Sequence, residues 1–191
     1  MISPIACQTR PFFTPAPPWS GLHRSAALPL PASQRRWLTD TGSLTLRLSR
    51  MDQRQFSVTL VSERQGRASP VESRDLGFPT RAPVWIREVL LLLDDDLQVE
   101  ARTVIPMRYL RQLGNPVRRL GNRSLGSFLF RHPQLQRQPM RFCRQPTHKS
   151  ARGRLQDPVT SPWCRRSVFH IGTSKLLVSE AFASTLLSGQ P

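Results

Sequence analysis

Two stretches that read as long strands, Val84 to Leu93 and Leu97 to Ile105, flank the triplet Asp94-Asp95-Asp96. Both have strand length and strand residue types, and a short acidic turn between them favours an antiparallel hairpin. A second hairpin is expected where Arg165 to Ile171 and Lys175 to Phe182 enclose Gly172-Thr173-Ser174, and Phe56 to Val61 alternates as a further strand. Helical pieces interleave with these strands. Ser43 is placed to cap a helix in which Leu44, Leu48 and Met51 recur on one face, and Met107 to Leu113 is a further candidate. After the turn Leu120-Gly121-Asn122-Arg123, Ser124 can cap another helix that carries Leu125, Phe128 and Leu129. Hairpins and helices in this order predict an α+β domain, one sheet with helices packed on one face.

Each hairpin carries one charge where none is expected. A period of two places Arg87 in a row with Trp85, Val89 and Leu91, and Glu180 in a row with Leu176, Val178 and Phe182. An ionised group on an apolar row is costly unless something pairs with it, either the other charge or a ligand. The first turns of the two capped helices leave backbone N–H groups free at Leu44 and Leu125, where an anion could bind. With the Arg87 fork they suit a small molecule bearing carboxylate and hydroxyl groups. A structural Arg87–Glu180 ion pair is the competing reading.

The rest of the chain bounds the function. At 191 residues it is sized for one domain. Prolines crowd residues 1–35, predicting an irregular arm ahead of a domain spanning 36–183 and a small, polar tail at 184–191. A loop is expected from about Val61 to Pro83. Residues 132–162 read as an insertion-like stretch, basic at about 145–162, with a helical piece possible near Leu135 to Arg144. Cys7, Cys143 and Cys164 are odd in number and lack metal-ligand spacing, the histidines are isolated, and the three aspartates fit a solvated hairpin tip better than a Mg²⁺ site. No metal is therefore expected. The net charge of +16 raises nucleic acid as a partner, but the arginines are scattered instead of clustered, so none is expected. Steering of small anions is the safer consequence. The opening residues lack a secretory pattern and no run reaches membrane-spanning length, so a cytoplasmic protein without a membrane span is expected.

Five segments in order resemble the chorismate pyruvate-lyase family: Trp85 to Leu91, Arg102 to Pro106, Leu120-Gly121 with Ser124 to Phe130, Trp163 to Ser167, and Leu176 to Phe182. The resemblance spans roughly Trp37 to Phe182. It implies a single antiparallel sheet of about six strands with helices on one face and flaps over an internal ligand site. It also implies conversion of chorismate to 4-hydroxybenzoate and pyruvate, the first step of bacterial ubiquinone synthesis, without metal or organic cofactor. By motif, the substrate contacts fall on Arg87, on Glu180 and on the main chain at Leu44 and Leu125, with Arg87 and Glu180 as the catalytic pair. Leu44 stands where the family often has methionine and Ser124 where proline is common; neither change removes the N–H at Leu44 or Leu125. Arg102, Arg165 and Arg166 are candidates for supporting roles, and a monomer is expected. Three alternatives stay open: a non-catalytic domain sensing a small carboxylate effector, a lyase giving another hydroxybenzoate, and a basic nucleic-acid-binding protein.

Overall fold

The computed structural model describes residues 19–21, 31–51, 54–144 and 163–188. Most of the proline-rich stretch and the basic segment 145–162 lie outside the described residues. In chain order the elements are β1 (Ser20–Gly21), α1 (Ala32–Leu38), α2 (Leu44–Ser49), β2 (Phe56–Arg67), α3 (Pro70–Leu76), β3 (Pro83–Leu93) and β4 (Asp96–Pro106). They continue with α4 (Met107–Leu113), α5 (Asn115–Arg118), α6 (Leu125–Leu129), β5 (Leu135–Arg137), β6 (Arg141–Arg144), β7 (Trp163–Ile171), β8 (Ser174–Phe182) and α7 (Ser184–Ser188).

All strands join one antiparallel sheet in the order β1-β6-β7-β8-β4-β3-β2, with β5 also pairing β7. Both expected hairpins form. At the tip of the first, Asp94 and Asp95 adopt φ of 48° and 68°, the left-handed pair that a two-residue turn of this hand requires. Arg54 pairs with Asp94 at 2.9 Å and with Asp96 at 2.8 Å, so the triplet is held by a guanidinium.

Four expectations need correction. The strand expected to stop at Val61 runs on to Arg67, and the loop expected before Pro83 contains α3. That helix opens on a complete capping box, with Ser69 and Glu72 each accepting the other's backbone N–H and Pro70 in the first turn. The segment read as partly helical near Leu135 to Arg144 is instead two short strands, because Leu135 to Arg137 and Arg141 to Arg144 find partners along β7. Ser184–Ser188, expected to belong to a small, polar tail, form α7, which buries Leu186 and Leu187 in the core.

The two sheet faces are built differently. On one, α1, α2 and α7 pack their leucines with Val89, Leu91, Val99 and Phe182, and α4 to α6 pack with Trp85, Ile105, Phe169 and Val178. On the other, α3 covers Ile86, Val104 and Leu177 with Leu76 and supplies Glu72 and Asp75 to buried arginines. Arg102 bridges Glu72 at 2.9 Å and Glu88 at 2.6 Å, while Arg166 reaches Asp75 at 3.1 Å. The overlooked helix is therefore what allows these charges to be buried.

Candidate functional site

A cavity lies on the first face. Its volume of about 60 Å³ is enough for more than one water. Its floor is the apolar row Val58, Val89, Leu91, Ala101 and Val178, interrupted by Arg87, Thr103 and Glu180. The roof is the start of α2, at Leu44 and Thr45, and the start of α6, from Ser124 to Gly126. All four expected contact residues, Arg87, Glu180, Leu44 and Leu125, thus border one space.

Arg87 and Glu180 do not pair with each other. Arg87 is 1% exposed and its Nε donates to Glu63 Oε1 at 3.1 Å. A β-bulge makes that pairing possible. Between Leu60 and Ser62 the register of β2 on β3 slips by one, so Glu63, not Ser62, stands opposite Arg87. Nη2 of Arg87 donates to the carbonyls of Gly121 and Arg123, the turn that leads into the Ser124 cap of α6. Nη1 makes no hydrogen bond among the described residues, and Arg87 is part of the cavity wall. Burial pulls the Arg87 pKa down, and Glu63 opposes that shift.

Glu180 pairs with its cross-strand neighbour Arg165, whose Nε donates to Oε2 at 2.5 Å and Nη2 to Oε1 at 3.3 Å. Arg165 Nη1 also donates to the carbonyls of Trp37 and Asp40, at the segment entering α2. Each half of the site therefore has an arginine tied to a helix entrance: Arg87 to that of α6, Arg165 to that of α2. Arg137 adds a third, half-buried guanidinium, donating to Ser167 Oγ at 2.9 Å and to the carbonyls of Asp40 and Thr41 at 3.2 Å. Burial, and then the Arg165 charge, push its pKa down to about 10, with Glu180 and Asp40 opposing.

The two roof helices are joined by hydroxyls. Ser43 Oγ and Ser124 Oγ cap their helices through the N–H groups of Leu46 and Ser127. Ser124 Oγ donates to Thr45 Oγ1 at 2.8 Å, and Ser43 Oγ lies 3.1 Å from the same atom. Because the caps take the third N–H of each helix, the N–H groups of Leu44 and Leu125 have no partner within the helix.

Comparison with known proteins decides the family. The chorismate lyase family model matches residues 21–189. A probable chorismate pyruvate-lyase of Thiobacillus denitrificans is 40% identical over 166 residues, covering 85% of this chain and 88% of that protein. A protein of the same description from Pseudomonas fluorescens is 39% identical over 174 residues, 90% of each. The chain belongs to the chorismate lyase family. Among solved structures, the effector domain of PhnF from Mycobacterium smegmatis superposes with a TM-score of 0.54 at 16% identity, over 75% of this chain and 89% of that one. That likeness shows the fold alone.

Within this lyase family member, Glu63 and the connections of Arg165 are what sequence reasoning missed. The alternation that marked Arg87 gives no sign of a bulge, so Glu63 fell in a segment read as loop. Arg102, a candidate for a supporting role, stands on the opposite sheet face, where its charge belongs to the Glu72 and Glu88 pairs. Arg166 also points away from the cavity, bonding Ser179 Oγ and Asp75. Among the described residues no group of three His, Cys, Asp or Glu side chains is placed to hold a metal ion, and no helix is long and apolar enough to cross a membrane.

Proposed function

We propose that this chain converts chorismate to 4-hydroxybenzoate and pyruvate without a metal or organic cofactor, as the first step of ubiquinone synthesis. The observation carrying this reading is that Arg87 and Glu180, each held by a different partner, border one cavity roofed by the Leu44 and Leu125 helix starts. An Arg87–Glu180 pair would use up both groups on each other. Here Arg87 pairs with Glu63 and Glu180 with Arg165, so a donor group and an acceptor group with bonding capacity to spare stand on one wall, as a substrate with carboxylates and a hydroxyl requires.

The reaction breaks the ether bond between the ring and the enolpyruvyl oxygen, and the hydroxyl-bearing ring carbon loses its hydrogen. The bond electrons leave with enolpyruvate, which takes up a proton and becomes pyruvate, while the C–H electrons complete the aromatic ring. Atoms balance without water or an added reductant. Because aromatisation drives the step, the protein's work is orientation and stabilisation of developing negative charge. Arg87 holds a carboxylate or the departing oxygen, and the N–H groups of Leu44 and Leu125 add donors. Glu180 accepts the hydrogen bond of the ring hydroxyl and is placed to assist proton removal. The apolar floor limits water around the ring.

The test is incubation of the purified chain with chorismate in chelator-containing buffer, with chromatography of the products. Equimolar 4-hydroxybenzoate and pyruvate support the reading. A different hydroxybenzoate corrects the product, and a folded protein that forms neither overturns the catalytic assignment.

A further inference from the structure

Arg165 is as deeply buried as Arg87, at 1% exposure, and it bonds one of the four groups assigned to the substrate, Glu180, together with the chain segment that leads to a second, Leu44. Its Nε and Nη2 grip both oxygens of Glu180, and Nη1 donates to the Trp37 carbonyl at 3.1 Å and the Asp40 carbonyl at 3.0 Å. We propose that Arg165 is a positioning residue for the lyase reaction, which fixes the plane of the Glu180 carboxylate and the path of the chain into α2. The proposal rests on the function proposed above.

Three features carry it. First, β7 places Arg165 directly opposite Glu180 on β8, so the two side chains leave the sheet side by side. A planar fork then meets a planar carboxylate through two bonds, which sets its rotation as well as its location. Second, a carboxylate has about four lone-pair sites and Arg165 takes two, leaving acceptor capacity for a substrate hydroxyl. Third, the same guanidinium holds the Asp40 carbonyl, three residues before the Ser43 cap, so movement of Arg165 would displace the acid and the Leu44 N–H together. Lysine could keep the charge but not the fork.

The test is a double-mutant cycle on the full chain: wild type, R165M, E180Q and R165M/E180Q, with R165K alongside. Turnover of chorismate is measured per competent site, counted by titration with 4-hydroxybenzoate. R165M is expected to lower kcat by about 100-fold with a smaller change in KM, and R165K to restore part of it. In the E180Q background the same substitution should cost only a few-fold, because the group it orients is already gone. If R165M lowers kcat by the same factor in both backgrounds, or leaves kcat per competent site unchanged, the positioning role is overturned. Should R165M fail to fold, R165K and R165K/E180Q give the same comparison. A wild type inactive on chorismate would overturn the proposed function and this role with it; an active wild type with an additive cycle would overturn this role alone.

Discussion

Gly126 at the start of α6 lies so close to Thr45 of α2 that a Cβ on residue 126 would stand 2.6 Å from Thr45 Oγ1. The same oxygen accepts the Ser124 hydroxyl, linking two helix starts 79 residues apart in the chain. Thr45 is β-branched and has few rotamers with which to give way. Gly126→Ala should therefore wedge the roof helices apart instead of stabilising α6. A loss of about 1–3 kcal/mol is expected in urea unfolding, together with faster dissociation of 4-hydroxybenzoate in stopped flow. An unchanged midpoint and dissociation rate would mean the roof is not held by this contact.

Glu63 keeps the buried Arg87 cation paired, and it also competes with any carboxylate that approaches the same guanidinium. Glu63→Gln should consequently have opposite effects on the free and bound protein. Stability of the free protein is expected to fall by about 1–3 kcal/mol, while 4-hydroxybenzoate binds more tightly. Calorimetric titration and urea unfolding of the same samples check both signs.

Arg102 resembles Arg87 in sequence setting but belongs to the other face. Removing it leaves Glu72 and Glu88 short of a buried partner, so Arg102→Ala is expected to cost about 3–5 kcal/mol of stability. Activity per folded molecule should stay near that of wild type. A stable R102A protein with impaired kcat would place Arg102 back at the site.

These residues show what was legible in the sequence. The hairpins were, because alternation and turn chemistry are local, and so were both helix caps, because Ser43 and Ser124 precede leucines at helical spacing. Arg87 and Glu180 stood out for the same reason: a lone charge breaks an apolar row. What joins them to the rest was hidden. The slip between Leu60 and Ser62 that delivers Glu63 to Arg87 is a pairing event between strands, with no mark in either one. The capping box from Ser69 to Glu72 was a readable signal, masked by the loop-like composition around it. Without α3, the charges on the second face looked solvent-exposed, and Arg102 could be assigned to either side.

On that second face, half-buried Glu100 gives a pH signature. Burial, and then the charge of Glu88, push its pKa from 4.5 up to about 7. The folded state therefore holds the proton more tightly than the unfolded state does. The associated stability is fully present below about pH 4.5 and is lost as pH rises through about 7. Glu100→Gln should raise the Tm above that range and change it little below. Equal shifts at both ends would rule out this titration as the cause.

The most direct measurement is a crystal structure of the protein soaked with 4-hydroxybenzoate. The product is expected in the cavity between the sheet and the starts of α2 and α6, its carboxylate at Arg87 and its hydroxyl at Glu180, with the N–H groups of Leu44 and Leu125 within hydrogen-bond distance. Product bound elsewhere, or a cavity that stays empty at saturating concentration, would contradict the assignment of these four residues to one site.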